Sequence, residues 1–242
     1  MRVTQHILRA FEEKEHCSAI FLDFSQAFDR VWHEGLLQKL SKIVPKQLHK
    51  VLTSYLQNRT FKVKGTGGIR SRLGSISAGV PHGSILGPIL YSIYTSDMPL
   101  PDAVPIISRN CTLTPTKLLL ATYADDTAVL MSHKQPKEHA KHLQAYLNVI
   151  SEWANKWRMT FNVKKCAHVS FFSGQNMTQT NQTKLLLNGQ IIPHANKYKY
   201  LGVTLDRKIN MSLHISLLCM MTYFHLKIKQ FPKLRMLLLY KI

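Results

Sequence analysis

Two short apolar runs in this chain each lead into acid, and that pattern limits the possible folds more than any other feature. Ile20–Phe21–Leu22 ends at Asp23. Leu118–Ala121 leads through Thr122–Tyr123–Ala124 to Asp125–Asp126, and a second apolar run, Ala128–Met131, follows after Thr127. Short apolar runs bounded by polar residues read as buried strands. A buried strand with a carboxylate at its tip places that carboxylate at the edge of a sheet, where it can face a cation. The two segments lie far apart in sequence, so only a tertiary fold can join them.

The charge around these acids sharpens the reading. The 242 residues carry 32 Lys+Arg against 13 Asp+Glu, a formal charge of +19. No carboxylate occurs in residues 35–96 or in residues 153–205. A carboxylate retained in such a field is expected to have a task. The basic charge is interleaved with aromatics along the chain, which points to a polyanionic partner, nucleic acid before an acidic membrane surface. Cys17, Cys111, Cys166 and Cys219 show no C-x-x-C pairing. They read as reduced, intracellular thiols, not a disulfide frame or a zinc site. No apolar run approaches the ~18 residues that span a bilayer, and the first residues lack the apolar core of a signal peptide.

Hydrophobic spacing predicts helices over 4–15, 35–43, 47–56, 84–94 and 136–157, with Pro45 separating the second from the third. It predicts strands over 18–24, 60–63, 118–123, 127–131, 167–172 and 198–205. Gly65–Gly68 reads as a turn, and 96–116 as a proline-bearing surface connection. Asn188–Gly189 between two short apolar runs is a strong hairpin signal. The tail after Asp206 reads as basic and helical. The order is not a repeating βαβ series. It suits an α+β layer, a mostly antiparallel sheet with helices on one face.

Carboxylates brought together from distant segments can hold two Mg²⁺ ions and serve phosphoryl transfer. Taken alone, Tyr-Ala-Asp-Asp fits a solvated turn equally well, and Asp23 fits a cap. Five segments in order change that balance: FLDFSQAFDRVWHEGLLQKL, AGVPHGSILGPILYSIYTSDMP, TYADDTAVL, WRMTFNVKKCAHVSFF and KYKYLGVTLD. Together they resemble the palm of a reverse transcriptase from a non-LTR, LINE-type retrotransposon, most of all the jockey-like elements of arthropods. The resemblance covers about residues 17–206.

That resemblance implies a right-hand polymerase. Residues 1–206 would form the palm with partial fingers (about 34–78), and 207–242 a truncated, thumb-like helical tail. Asp23 and Asp125 match the two metal-bridging acids, and Asp126 the third acid with a weaker metal role. The implied cofactor is a pair of Mg²⁺ ions, with Mn²⁺ able to substitute. Phe24 and Phe28 would line the nucleotide site, Phe28 as a gate against the 2′-hydroxyl. On its own, Phe28 would read as core packing. Asp29 matches a structural acid. Pro81, His82, Gly83 and Ser84 match the template- and nucleotide-binding motif. Within it Gly83 would allow close backbone approach, Ser84 would cap the next helix, and Pro88 falls near its first turn. His82 stands where the family has Gln, with different reach and protonation. Lys165 matches the lysine near the triphosphate, with Lys164 as the competing choice. Leu201–Gly202 matches the hairpin that grips the primer and would otherwise read as a plain β-turn.

The implied reaction is RNA-directed DNA synthesis, attack of a primer 3′-hydroxyl on the α-phosphate of a dNTP. The implied partners are an RNA template, a DNA primer and the dNTP, with no membrane. Lys and Arg in 39–72 and 197–241 would hold nucleic-acid backbone. Upstream fingers, an endonuclease segment and a Cys/His knuckle would belong to a longer element. The alternative is a catalytically inactive remnant that only binds nucleic acid. The resemblance places the protein in the nucleus.

Overall fold

The first apolar run, expected as a buried strand, forms an interior strand of a sheet. In the computed structural model, strand β1 (His16–Leu22) pairs antiparallel with β5 (Asp126–His133) on one side and with β6 (Ala167–Phe171) on the other. Strand β4 (Lys117–Tyr123) completes the order β4-β5-β1-β6. The structure describes residues 2–81, 83–101, 117–172 and 184–209. Alternation along the strands divides the side chains between two faces. Ile20, Leu22, Val129 and Met131 enter one core, and Ala19, Phe21, Ala128, Leu130, Val169 and Phe171 enter another.

The first core is covered by helices α2 (His33–Ile43), α3 (Lys46–Leu56), α4 (Leu86–Thr95) and α5 (Pro136–Lys156). Helix α5 turns Leu143, Leu147, Ile150 and Ala154 inward, all fully buried, as its helical spacing predicts. The second core lies under helix α1 (Arg2–Glu12) and a hairpin of β9 (Lys197–Tyr200) and β10 (Val203–Asp206). The one-face expectation therefore holds for α2–α5. Helix α1 lies opposite because Val3, Ile7 and Ala10 form an apolar stripe that closes over the Ala19–Phe21 side of β1.

One charged side chain joins three of the helices. Lys39 of α2 donates to Asp97 at 2.6 Å and to the Tyr94 carbonyl. Its ammonium lies 3.5 Å from the Trp157 ring centroid and near the rings of Tyr94 and Trp153. Burial lowers the lysine pKa, and Asp97 opposes that shift. Such a desolvated cation gains on the order of 2 kcal/mol from an aromatic face.

The expected single strand over 198–205 is instead the β9–β10 hairpin, with Leu201–Gly202 as its loop. Both loop residues have positive φ (47° and 81°), which a tight two-residue loop between twisted strands demands. Apolar character continues through the loop, which is why alternation alone missed the break. Asn188–Gly189 forms the same kind of loop, φ 50° and 75°, between β7 (Leu186–Leu187) and β8 (Gln190–Ile191). Strands β2 (Arg59–Phe61) and β3 (Gly74–Ile76) make a further hairpin, with a short 3₁₀ turn at Thr66–Gly68. The helical tail expected beyond residue 209 and the connection over 102–116 lie outside the described residues.

Two outcomes follow. A non-glycine residue at positive φ costs ~1–2 kcal/mol, least for Asn. Leu201→Asn should therefore raise stability by about 1 kcal/mol, measured as the urea midpoint, and an unchanged or lower midpoint would contradict the loop geometry. Burial pushes His139 down to about 4 and His168 to about 3. These depressed values favour the neutral rings in the folded state. Their stabilisation is whole above the unfolded value near 6.5 and is lost as pH falls from there toward 3. Thermal midpoints should drop between pH 7 and pH 5, and less steeply in His168→Leu. A flat profile would remove both histidines from the core.

Candidate active site

The register of β1 against β5 builds the site. Leu22 faces Thr127, so one further step brings Asp23 beside Asp126. The β4–β5 connection is the two-residue loop Ala124–Asp125, because Tyr123 pairs with Asp126. Ala124 takes φ 52°, a strained conformation of the kind found beside functional groups. Three carboxylates from two distant segments thus meet at one sheet edge.

A second segment fixes Asp23 from the other side. Its backbone N–H donates to Cys166 Sγ at 3.4 Å, and its carbonyl accepts the Asn162 N–H at 2.8 Å. The Ser25 N–H donates to the Thr160 carbonyl at 2.8 Å, and the Phe24 and Phe161 rings stack at 4.6 Å. The chain then turns at Asn162, whose carbonyl accepts the N–H groups of Lys165 and Cys166. This turn presents Lys165 to the same cleft as Asp23.

The cleft has a volume of about 340 Å³, and its walls include Asp23, Phe28, Asp29, Asp125, Asn162 and Lys165. Lys165 lines it and Lys164 does not, which separates the two lysines that sequence left open. Burial lifts the Asp23 carboxyl above its ordinary range, Lys165 opposes the shift and Asp125 adds to it. Asp126 is lifted by burial and by the charges of Asp125 and Asp23. Like charges at close quarters disfavour ionisation, and a bound cation reverses that.

Asp126 is not part of the cleft wall. Alternation puts it on the side of Ala128 and Leu130, toward the β9–β10 hairpin, a side that Asp23 shares after Ala19 and Phe21. Burial raises the Tyr198 and Tyr200 hydroxyls, and Asp126 is the next cause for each. Phe21 stacks on Tyr198 at 4.2 Å, seating that hairpin under the acid edge. Among the described residues, no group of three His, Cys, Asp or Glu side chains is arranged to hold a metal ion by itself. The donor set nevertheless fits Mg²⁺, a hard ion that takes one or two carboxylates and fills its shell with water and substrate phosphates. Asp23 and Asp125 are the residues that would hold it.

Phe28 forms part of the wall, its ring stacked on Tyr91 at 4.6 Å. The Val80 N–H donates to the Phe28 carbonyl at 2.9 Å, which ties the wall to the segment beginning at Pro81. Gly79 makes that approach possible. It has φ 91°, and a Cβ there would lie 2.7 Å from the Asp29 carbonyl oxygen. Pro81, Gly83 and Ser84 lie beyond the cleft wall, and His82 falls outside the described residues. Gly83 is needed for its φ of 72° and not for close approach within the chain, since open space surrounds a Cβ there. Ser84 caps α4 as expected, accepting the Gly87 N–H at 2.9 Å and donating to the Pro81 carbonyl. The helix proper starts two residues later, at Leu86. Leu201 and Gly202 are exposed at the hairpin tip.

Sequence reasoning passed over Asn162 and Cys166, which position Asp23, and did not place Asp29 on the cleft. Asn162 and Cys166 lie inside the quoted motif WRMTFNVKKCAHVSFF. Nothing in hydrophobic spacing distinguishes a backbone clamp from an ordinary turn.

Comparison with known proteins agrees with this architecture. The chain is 45% identical over 215 residues to the RNA-directed DNA polymerase from mobile element jockey of Drosophila melanogaster, which covers 89% of this chain and 22% of that protein. It thus spans about a fifth of that relative. Among solved structures, apo telomerase from Candida tropicalis truncated from its C-terminal domain superposes with a TM-score of 0.55 at 18% identity, over 87% of this chain and 39% of that one. Telomerase from the same organism in complex with the TWJ fragment of telomeric RNA gives 0.54 at 16% identity, over 87% and 32%. These two likenesses show a shared fold. The family model for reverse transcriptase (RNA-dependent DNA polymerase) matches residues 1–205, and the chain belongs to that family.

Proposed function

We propose that this chain is the palm, with part of the fingers, of an RNA-directed DNA polymerase from a LINE-type retrotransposon. The observation that carries the reading is one cleft lined by Asp23, Asp125, Lys165 and Phe28. Reverse transcriptases as a family use divalent metal ions. Two such ions, held by Asp23 and Asp125, would neutralise charge on the attacking and leaving oxygens.

The chain's own groups do the rest. The clamp from 160 to 166 holds Asp23 rigid, so the acid does not have to reorganise during the reaction. Lys165 faces the acids with an ammonium that can donate a proton to the departing pyrophosphate. Phe28, pinned by Tyr91, stands where a 2′-hydroxyl would be crowded. Asp126, turned toward the hairpin, serves in support, and Leu201–Gly202 at the hairpin tip holds the primer. Pro81, His82, Gly83 and Ser84 take up template and nucleotide. The template is RNA and the primer DNA. Residues 1–206 act as palm with fingers at 34–78, residues 207–242 begin the thumb, and the work is done in the nucleus.

Primer extension on poly(rA)/oligo(dT) with dTTP and Mg²⁺ or Mn²⁺ tests this directly. Wild type should extend, and Asp125→Ala should lose at least ~10³-fold in rate, as expected when charge stabilisation is removed. No extension by wild type, with salt-sensitive nucleic-acid binding retained, would leave the inactive remnant. Phe28→Ala should keep dNTP use within about tenfold while raising ribonucleotide incorporation by ~10-fold or more, a contact worth about 1.4 kcal/mol. Unchanged discrimination would return Phe28 to a packing role.

A further inference from the structure

We propose that a second cleft, next to the catalytic one, holds an unpaired nucleotide of a nucleic-acid strand, with its base on the outer face of the Arg158 guanidinium, which is stacked on Trp32, and its phosphate at the guanidinium's edge. The inference rests on reading the chain as a nucleic-acid polymerase. This cleft has a volume of about 690 Å³ and opens between the start of α2, the end of α3 and the exit of β3. That is within the range of sites that take small molecules. Its wall begins at Arg30, one residue past Asp29 of the catalytic cleft. A strand lying here runs on toward the acids.

The chemistry of the walls is that of a single-strand site. The Arg158 guanidinium lies 4.0 Å from the Trp32 ring centroid. The Trp32 indole N–H donates to Glu34 at 2.9 Å, which fixes the ring and occupies the one acid in the wall. Gly35 leaves room for the ring, since a Cβ there would lie 2.5 Å from Trp32 Cε3. Arg158 is held at φ 54°, and its exposed guanidinium has no acceptor among the described residues. A stacked guanidinium with free donors awaits an anion, and phosphate fits its fork. Gln57 and Asn58 are exposed on the rim, and their side-chain amides make no hydrogen bond among the described residues; such amides read the edge of an unstacked base. Arg59 opens β2 and Lys62 follows it, within the stretch that has no carboxylate. A guanidinium stacked on an aromatic ring, amides and a basic approach together match stacking and phosphate contact on single strands. An acidic peptide would match only the charge.

Tryptophan emission reads this cleft directly. Of the three tryptophans, Trp153 and Trp157 are buried beside Lys39, and Trp32 lines the cleft. Short oligo(rU) and oligo(dT), with poly-glutamate as the peptide arm, are titrated into the full chain at several salt concentrations. Oligonucleotide should quench wild type and Asp125→Ala alike, and the quench should vanish in Trp32→Phe. Arg158→Met keeps an aliphatic stem over the ring. It should bind about tenfold more weakly, with the slope of log affinity against log salt smaller by about 0.7, one phosphate contact on a single strand. Gln57→Glu, at an exposed position, should also weaken binding with an unchanged unfolding midpoint.

Tighter oligo(rU) marks the source as an RNA template, and tighter oligo(dT) as a DNA strand. Both support the proposal. Wild-type affinity and slope in Arg158→Met and Gln57→Glu would overturn it, as would quenching that persists in Trp32→Phe or poly-glutamate binding as tight as oligonucleotide. Failure of the polymerase reading shows separately, as absent primer extension with the quench intact.

Discussion

The antiparallel pairing of β1 with β5 is the interaction on which the rest depends. Its register sets Leu22 against Thr127, and so sets Asp23 beside Asp126 and beneath the Asp125 loop. A slip of one residue would turn every side chain to the opposite face. Ile20 and Leu22 would leave the helix-covered core, and Phe21 would lose Tyr198 and Tyr200. Burial of each large apolar side chain is worth ~1.5–3 kcal/mol. Several such residues on each face hold the register against the repulsion of the carboxylates it gathers.

The site is therefore held by apolar layers that do not take part in its chemistry. Behind it, α2–α5 pack on one face, and Lys39 joins α2 to Tyr94, Asp97 and Trp157. In front, the 160–166 segment follows directly from Trp157 at the end of α5 and clamps Asp23 through backbone groups and Cys166. The catalytic wall and the second cleft both depend on this arrangement, because Arg158 is the residue between helix and clamp. Phe28 lies in the turn after Asp23 and Trp32 in a bridge to Ala78, and Gly79 and Val80 hold this stretch by backbone hydrogen bonds to Val31 and Phe28. One short stretch thus contributes an aromatic to each cleft.

Much of this was legible in the sequence where local physics governs. The helical spacing of Leu143, Leu147, Ile150 and Ala154, the Asn188–Gly189 loop, the Ser84 cap and the acid-tipped apolar runs all depend on near neighbours. Legibility failed where the deciding contact is distant. Alternation runs 198–205 together as one strand, and only the motif marks a hairpin at Leu201–Gly202, because Leu is a poor loop residue, tolerated where the hairpin is held by Tyr198 and Tyr200 against Phe21. The choice between Lys164 and Lys165 required the turn at Asn162, which in turn required Asp23. Asp29, which reads from the sequence as a structural acid, lies on the cleft wall where Gly79 approaches its backbone closely.

By itself, the sequence determined the chemistry available: three aspartates in a basic field, two strand-forming runs to carry them, and ordered motifs that resemble a polymerase palm. Tertiary structure decided which of those groups share a space. It put Asp23, Asp125 and Lys165 on one cleft, set Asp126 beside Asp23 toward the β9–β10 hairpin, and opened a second cleft at Trp32 and Arg158. The reason is physical. Residue type and periodicity are local properties, whereas distance between groups far apart along the chain is set by register and by which apolar faces close on each other.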